Sequence, residues 1–208
     1  MEVGLYLLAY WCFLRRLSVA YWVALVCLLG CKEDVGLAVC ALGFWMAVFE
    51  RRWKIGAATA VVGFAWSAVC ILLVLPSLAG DEQNRQIANY AHLGGNTREI
   101  ALTFVLRPHI VAAHLLHPDR IESLVKILLP FAFLPLARPS TLLLLAPSVV
   151  TTILSAWEPQ YALRTHYGLV FLGPACVGLI EGWRALERRW ERRVVPGPPR
   201  SAWAAALL

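Results

Sequence analysis

The fold is decided by one stretch, residues 28–37, which reads Leu-Leu-Gly-Cys-Lys-Glu-Asp-Val-Gly-Leu. The apolar run 18–31 ends directly before its three consecutive ionisable residues, and the apolar run 35–49 begins directly after them. A charged side chain at the centre of a bilayer costs about 2.5–3.5 kcal/mol on insertion scales. Three together are therefore expected at an interface or in a wet cavity. The pattern predicts two membrane helices joined by a charged turn.

Composition extends this interpretation to the whole chain. Of its 208 residues, 60% are hydrophobic and only 15% are charged, whereas soluble domains average about 45–50% apolar and about 25% charged residues. We predict an all-α, polytopic transmembrane helical bundle. Its transmembrane domain covers residues 1–183, and a basic cytoplasmic tail follows over residues 184–208. The cysteines lie inside apolar runs without a Cys-x-x-Cys pair, which indicates small buried hydrophobes.

The positive charges predict the orientation. The net charge is +6, and the basic residues cluster at 15–16, 51–54 and 184–193, beside the ends of apolar runs. Cytoplasmic loops collect Lys and Arg, so these clusters indicate topology and not nucleic-acid binding. We predict a multi-pass protein of the cell inner (plasma) membrane, with the amino end outside and the carboxyl end cytoplasmic. The seven predicted spans are 3–14, 18–31, 35–49, 55–79, 119–137, 141–157 and 167–183.

The segment 97–118 is not counted as a span. Asn96 with Glu99 three residues later resembles a capping box, so a helix is expected to start there and to stop before Pro108. A second short helix is expected between Pro108 and Pro118. We predict that both lie in the outer interface or re-enter from it, as buried backbone allows.

The next helix is expected to start at a second pair of this kind, Asp119 and Glu122. It is predicted to continue to Ala137 with kinks at Pro130 and Pro135. Near the carboxyl end, the spacing of Gly178 and Gly182 fits a small-residue motif for helix packing.

The beginning of the chain is unusual. Residues 1–14 show neither a basic amino-terminal region nor a cleavage site, so no secretory signal peptide is expected. The run 3–14 is also shorter than the roughly 20 residues of a comfortable span. Such a start is typical of the middle of a longer protein, so the transmembrane domain is expected to be the carboxyl-terminal part of a larger one.

Three polar groups share the outer side in this topology: the charged triplet, the loop 81–100 and the segment 158–167. Acidic side chains in a wet cavity could hold a divalent cation or act as a general base, and cationic ones could bind a lipid phosphate. The alternative is an interfacial turn whose charges lie in water. The candidate catalytic residues are Glu33 and Asp34, and the candidate substrate-binding residues are Lys32, Tyr90, His92, Arg164 and His166. We assign no metal ligand, and His109, His114 and His117 are interpreted as interfacial histidines.

Several motifs carry a resemblance. The stretch 28–37, Tyr-Ala-His-Leu-Gly at 90–94, Phe-Leu-Pro-Leu at 133–136 and Thr-His-Tyr at 165–167 occur in this order. The order is that of a domain-of-unknown-function family of predicted prokaryotic membrane proteins, which is distantly similar to the GT-C glycosyltransferases. The chain resembles the carboxyl-terminal part of that pattern, over most of residues 1–183.

The resemblance implies an outward-facing site at which a sugar passes from a polyprenyl-phosphate donor to an extracytoplasmic acceptor. Glu33 and Asp34 resemble the second acidic element of GT-C sites, and Lys32, Arg164 and His166 would neutralise the donor phosphate. Tyr90 and His92 would shape the outer rim. The alternatives are a non-catalytic transporter or lipid-binding membrane protein, which broken helices around prolines suit equally well, and a truncated inactive homologue.

Overall fold

The structure, a computed structural model, describes residues 1–32, 34–74, 77, 88–162 and 170–194. Within these ranges the chain is helical and contains no strand, which confirms the all-α prediction. The helices are α1 Glu2–Leu14, α2 Ser18–Leu29, α3 Val35–Val48, α4 Trp53–Val69, α5 Thr97–Leu106, α6 Pro108–Leu115, α7 Pro118–Leu128, α8 Leu142–Leu154, α9 Glu158–Tyr161 and α10 Leu172–Val194. Short 3-10 turns at Leu129–Phe131, Leu134–Ala137 and Pro139–Thr141 connect α7 to α8.

The first four helices form two hairpins, each closed by a turn that contains an arginine pair. Arg16 and Arg51 have left-handed backbone conformations, with φ of 60° and 55°. At the first turn, the Leu17 N–H donates to the Cys12 carbonyl at 2.9 Å and the Arg16 N–H donates to the Phe13 carbonyl at 3.2 Å. This bonding closes a helix end, at a position where glycine is the usual residue. The chain thus places arginine where its backbone favours glycine.

Helices α3 and α4 pack with their backbones in direct contact. Each carries two glycines seven residues apart, Gly36 and Gly43 on α3 and Gly56 and Gly63 on α4. A Cβ added to Gly43 would lie 2.2 Å from the Ala60 backbone nitrogen. Small residues allow such close approach between helices in lipid. The sequence analysis did not single out these glycines.

The glycine motif that the sequence analysis did single out packs differently. A Cβ on Gly182 would lie 1.9 Å from the Leu134 carbonyl oxygen, and one on Gly178 would lie 3.0 Å from the Pro135 side chain. Gly178 and Gly182 therefore let α10 approach the 3-10 turn Leu134–Ala137 and not another long helix.

Among the residues that the structure describes, one helical stretch is long and apolar enough to cross a membrane. It is Trp53–Val74, 22 residues with a mean hydropathy of 2.2, formed by α4 and its continuation as a π-helix over Cys70–Val74. Val61, Phe64 and Leu72 on it are between 64% and 67% exposed, an apolar surface of the kind that a bilayer covers. The other apolar helices, including Glu2–Leu14, Ser18–Leu29 and Val35–Val48, are shorter. The count of seven spans and their orientation stay predictions.

The break predicted within residues 97–118 is confirmed. The Asn96 side-chain oxygen accepts a hydrogen bond from the Glu99 N–H at 2.9 Å, and the Glu99 carboxylate accepts one from the Gly95 N–H at 2.8 Å. This capping box starts α5, and α6 begins at Pro108 after the one-residue break at Arg107. Two short helices result, as the sequence indicated.

The predicted start of the next helix is wrong by one residue. Helix α7 begins at Pro118 and not at Asp119, and its capping residue His117 makes no side-chain capping bond. Proline suits the first position of a helix because its missing N–H would have no partner there. Asp119 lies 3.6 Å from His117 Nδ1, and Glu122 pairs with Lys126 at 2.6 Å.

The predicted continuation of that helix to Ala137 is also wrong. Helix α7 ends at Leu128, before Pro130, and Ala132 and Phe133 have left-handed conformations with φ of 49° and 56°. Pro130 removes a backbone donor, and the two left-handed residues turn the chain away from the helix axis. The segment reaches Arg138 through 3-10 turns. At the carboxyl end, α10 continues through the predicted boundary at 183 as one helix to Val194.

Candidate functional site

The charged turn between α2 and α3 holds a partly buried ion pair. Lys32 Nζ lies 2.6 Å from Asp34 Oδ2, and the two side chains are 17% and 36% exposed. Asp34 immediately precedes α3, and its side chain makes no capping hydrogen bond to that helix. Glu33, the other acidic candidate, lies outside the described residues. We call this end of the bundle the Asp34 end.

The loop 88–96 packs against α8 and α9. The Asn89 carbonyl accepts a hydrogen bond from the Ala156 N–H at 2.6 Å. The Tyr90 hydroxyl donates to the Thr151 carbonyl at 2.8 Å and accepts a longer bond of 3.5 Å from Gln160 Nε2. These bonds hold the loop against α8 and against Gln160, which lies in the third predicted polar group, residues 158–167.

The electrostatics of Tyr90 connect this loop to the charged turn. Burial raises the pKa of the Tyr90 hydroxyl, the bond from Gln160 opposes the rise, and the negative charge of Asp34 adds to it. Because the effect of Asp34 is the smallest of the three, the grouping of Asp34, Lys32 and Tyr90 in one site stays a prediction.

His92 belongs to a second group in the same loop. Its ring lies 4.2 Å from the ring of His114, between centroids, and the Arg120 guanidinium lies 3.4 Å over the ring of Tyr161. Burial lowers the pKa of His92, and the neighbouring His114 and Arg120 lower it further. His92 Nε2 and Arg120 Nη1 are shielded from solvent and have no hydrogen-bond partner among the described residues. Both nitrogens can carry a proton that an anionic oxygen would accept.

The remaining candidates, Arg164 and His166, lie outside the described residues. Within the ranges that the structure covers, no three His, Cys, Asp or Glu side chains are grouped closely enough to hold a metal ion. His109 and His117, which the sequence analysis considered with His114, do not join the contact between His92 and His114. No metal ligand was assigned from the sequence, and the cofactor stays unknown.

An open groove of about 310 Å³ lies beside the same loop. Glu99 and Arg107 supply its charged lining, and Leu102 and Leu106 supply apolar lining. Thr103, also in the lining, donates its hydroxyl proton to the Leu93 carbonyl at 2.6 Å. The groove can therefore accept a molecule with both polar and apolar parts.

A different set of charges meets elsewhere in the bundle, around Glu181. The Glu181 side chain is 5% exposed, and one of its oxygens accepts bonds from the Tyr10 hydroxyl at 2.5 Å and from Arg184 Nη1 at 2.7 Å. Arg138 Nη1 donates to the other oxygen, and Arg138 Nη2 donates to Glu50 at 2.8 Å. We call this the Glu181 end.

The Glu181 end joins parts of the chain that the sequence analysis assigned to one side. Glu50 follows the end of α3, Arg138 lies between two 3-10 turns, and Arg184 lies on α10. The predicted order of spans assigns all three positions to the cytoplasmic side. The contacts support a common side, and they leave the inside and outside assignment untested.

Sequence reasoning missed the Glu181 network itself. The signal was present, because Glu181 is the single charged residue in the apolar run 167–183. An ionisable side chain within such a run needs a specific partner. Its partner Arg138 is 43 residues away in the sequence, and nothing local identifies that pairing.

An all-helical bundle with an apolar outer surface and ionic groups gathered at its ends belongs to the class of helical membrane proteins. More particularly, the chain belongs to the family described as "Predicted membrane protein (DUF2079)", whose model matches residues 2–208. This match confirms a membrane family of unknown function, and the similarity to GT-C glycosyltransferases stays a proposal. No curated protein and no solved structure matches the chain.

Proposed function

We propose that this membrane protein acts on a lipid-linked sugar in the manner of the GT-C glycosyltransferases, at the Asp34 end. The observation that carries the proposal is the partly buried ion pair that the Asp34 carboxylate forms with Lys32 directly before α3. A base and a cation side by side at the end of a membrane bundle match the needs of sugar transfer from a phosphate donor.

Each residue has a role in this scheme. The acceptor hydroxyl oxygen attacks the anomeric carbon of the sugar, and its proton passes to Asp34. The bond from that carbon to the phosphate oxygen breaks, and the phosphate leaves with the electron pair. Lys32 pairs with Asp34 before the reaction and neutralises the phosphate as it leaves.

The loop and the segment beyond α9 complete the proposed site. His92 and Arg120 are partly buried, and a shielded N–H of each could donate to the phosphate oxygens. Tyr90 fixes the loop through its bond to Thr151. Glu33, Arg164 and His166 are proposed to join the site as a second acid and two further cations. A divalent cation, if bound, would be held by Glu33 and Asp34 and would supply positive charge for the donor phosphate.

The test is sugar transfer in proteoliposomes that contain the purified protein and a polyprenyl-phosphate sugar. Asp34→Asn keeps the shape of the side chain and removes the base, so transfer should be abolished while the amount of protein in the membrane stays the same. Glu187→Gln is the control, because this exposed carboxylate lies on α10, six residues beyond Glu181 and outside the proposed site. Transfer by Asp34→Asn at the unsubstituted rate would remove this residue from the mechanism.

A second candidate is lipid binding or transport without catalysis, which the groove beside Glu99 and Arg107 favours. In that case the purified protein would retain the polyprenyl-phosphate sugar without transferring the sugar to any acceptor. Binding would then depend on Arg107, whereas the first candidate predicts dependence of transfer on Asp34.

A further inference from the structure

A second groove, of about 410 Å³, lies where the two hairpin turns meet. Arg16 and Arg52 line it, together with the side chains of Phe13, Leu17 and Ile55. It belongs to neither the Asp34 end nor the Glu181 network. Helix α2, with 12 residues, separates it from Lys32, a distance of about 18 Å at the usual rise per residue.

The charge around this groove is strongly positive. The two turns carry Arg15, Arg16, Arg51, Arg52 and Lys54. In residues 12–18 and 50–55 the one acidic side chain is Glu50, which is already paired with Arg138 at 2.8 Å. An anion that entered the groove would therefore meet several cations and no opposing free carboxylate from these two segments.

One of the two lining arginines is held in place. Arg52 Nη1 donates to the Phe13 carbonyl at 3.1 Å, and its guanidinium lies 4.8 Å from the centroid of the Phe13 ring. A guanidinium has five N–H donors, so this one bond leaves others for a ligand. An arginine already fixed in position loses little conformational freedom when it binds an anion.

The other lining arginine occupies a position at which the fold itself favours glycine. Arg16 has a φ of 60°, in the left-handed region that glycine adopts without steric cost. A glycine at this position would close the turn equally well. The arginine side chain is therefore not needed for the turn, and it lines the groove instead.

The surroundings point to a lipid. Leu17 and Val19, beside the groove, are 44% and 78% exposed. Basic side chains at the ends of apolar helices lie at the depth of lipid phosphates, and basic pockets between membrane helices bind anionic headgroups. We propose that this groove binds the phosphate of an anionic phospholipid through Arg16 and Arg52, with the start of an acyl chain on Leu17 and Ile55.

The experiment uses the full chain purified in a non-ionic detergent and titrated with phosphatidylglycerol, phosphatidylcholine or inorganic phosphate. Binding is followed by native mass spectrometry. We expect phosphatidylglycerol to bind in preference to phosphatidylcholine and millimolar inorganic phosphate not to displace it. Equal binding of the two lipids would overturn the proposal, and displacement by inorganic phosphate would show a site for free phosphate instead.

The decisive variant is Arg16→Gly, which removes the cation and also relieves the left-handed backbone. Removing one arginine near a lipid phosphate should weaken phosphatidylglycerol binding by about fivefold, while the melting temperature stays equal or rises. Arg188→Gln, which removes an exposed arginine from α10, should leave binding unchanged. If Arg16→Gly folds normally and binds phosphatidylglycerol as the unsubstituted protein does, the groove is not the site.

Discussion

The Glu181 end and the Asp34 end of the bundle both gather charge, but they use it differently. At the Glu181 end, both carboxylate oxygens of Glu181 are bonded by side chains from distant parts of the chain. At the Asp34 end, the ion pair with Lys32 is partly exposed, and His92 and Arg120, which we propose to belong to the same site, each retain a shielded nitrogen without a partner among the described residues. A network whose bonds are satisfied internally holds helices together, whereas incompletely bonded polar groups can still bind a ligand.

Helix α3 connects the two ends. Asp34 precedes its first residue, and Glu50 lies two residues beyond its last. Its glycines lock it against α4 along its length. Asp34 and Glu50 therefore connect the two ends through one helix, and Gly43 lies between them on that helix.

The largest effect is expected at the Glu181 end. Glu181→Gln removes the buried counter-charge of Arg184 and one of the two carboxylates that bond Arg138, which keeps Glu50. Breaking a buried ion pair costs about 3–5 kcal/mol. The free energy of unfolding in mixed detergent micelles measures this loss. Glu187→Gln, exposed on the same helix, should change it by no more than about 0.5 kcal/mol. Equal values for the two variants would contradict a structural role for the network.

The next effect lies between the ends. Gly43→Ala places a Cβ against the backbone of Ala60, which cannot move aside as a side chain could, so we expect a loss of about 1–3 kcal/mol. Gly4→Ala is the control, and it should raise the free energy of unfolding instead of lowering it. Nothing lies within 4 Å of a Cβ at Gly4, and replacing a helical glycine by alanine stabilises by about 0.5–1 kcal/mol. If both variants were stabilised, α3 and α4 would not be in backbone contact.

At the Asp34 end, the effect on stability should be smaller. The Lys32–Asp34 pair is partly exposed, and such pairs contribute about 0–1 kcal/mol. Asp34→Asn is therefore expected to lower the free energy of unfolding by less than Glu181→Gln does, in the same assay. A loss as large as that of Glu181→Gln would show that both ends are structural.

The smallest effect concerns His92 and pH. Burial lowers the pKa of this histidine in the folded protein below its ordinary value of 6.5, with added effects of His114 and Arg120. As the pH falls, the unfolded chain therefore binds the proton at a higher pH than the folded protein does. The stability that neutral His92 contributes is present above pH 6.5. It is lost as the pH falls through the folded pKa. Because solvent screens the partly buried ring, we expect a fall in melting temperature of only about 1–2 °C, or roughly 0.5 kcal/mol.

His92→Gln is the control for this titration. The variant removes the titrating group, so the part of the pH dependence that belongs to His92 should disappear from its melting curves. Identical curves for the variant and the unsubstituted protein between pH 7.5 and 5 would show that His92 does not contribute.

Local sequence patterns predicted the first half of the chain well. The apolar runs and the charges that interrupt them gave α1, α2 and α3 nearly residue for residue, and Asn96 with Glu99 correctly marked the start of α5. These features depend on neighbours within a few residues. Membership in a membrane family was predicted from motifs and is confirmed over residues 2–208.

The predictions failed where distant residues or unusual backbone decide the structure. Between Leu128 and Thr141, left-handed conformations at Ala132 and Phe133 turn the chain, and no composition rule indicates them. The pairing of Glu181 with Arg138 joins residues far apart in sequence. Of the candidate site, the pairing of Lys32 with Asp34 lies within the predicted triplet and the grouping with Tyr90 stays a prediction, whereas Arg120 was not among the candidates because its side chain reaches the loop only through the fold.

The most direct test combines two measurements on Asp34→Asn in one preparation, the rate of sugar transfer from a polyprenyl-phosphate donor and the free energy of unfolding. The account predicts that transfer is lost while the free energy of unfolding falls by less than about 1 kcal/mol. Transfer at the unsubstituted rate would contradict it and would leave the Asp34 end without a catalytic role.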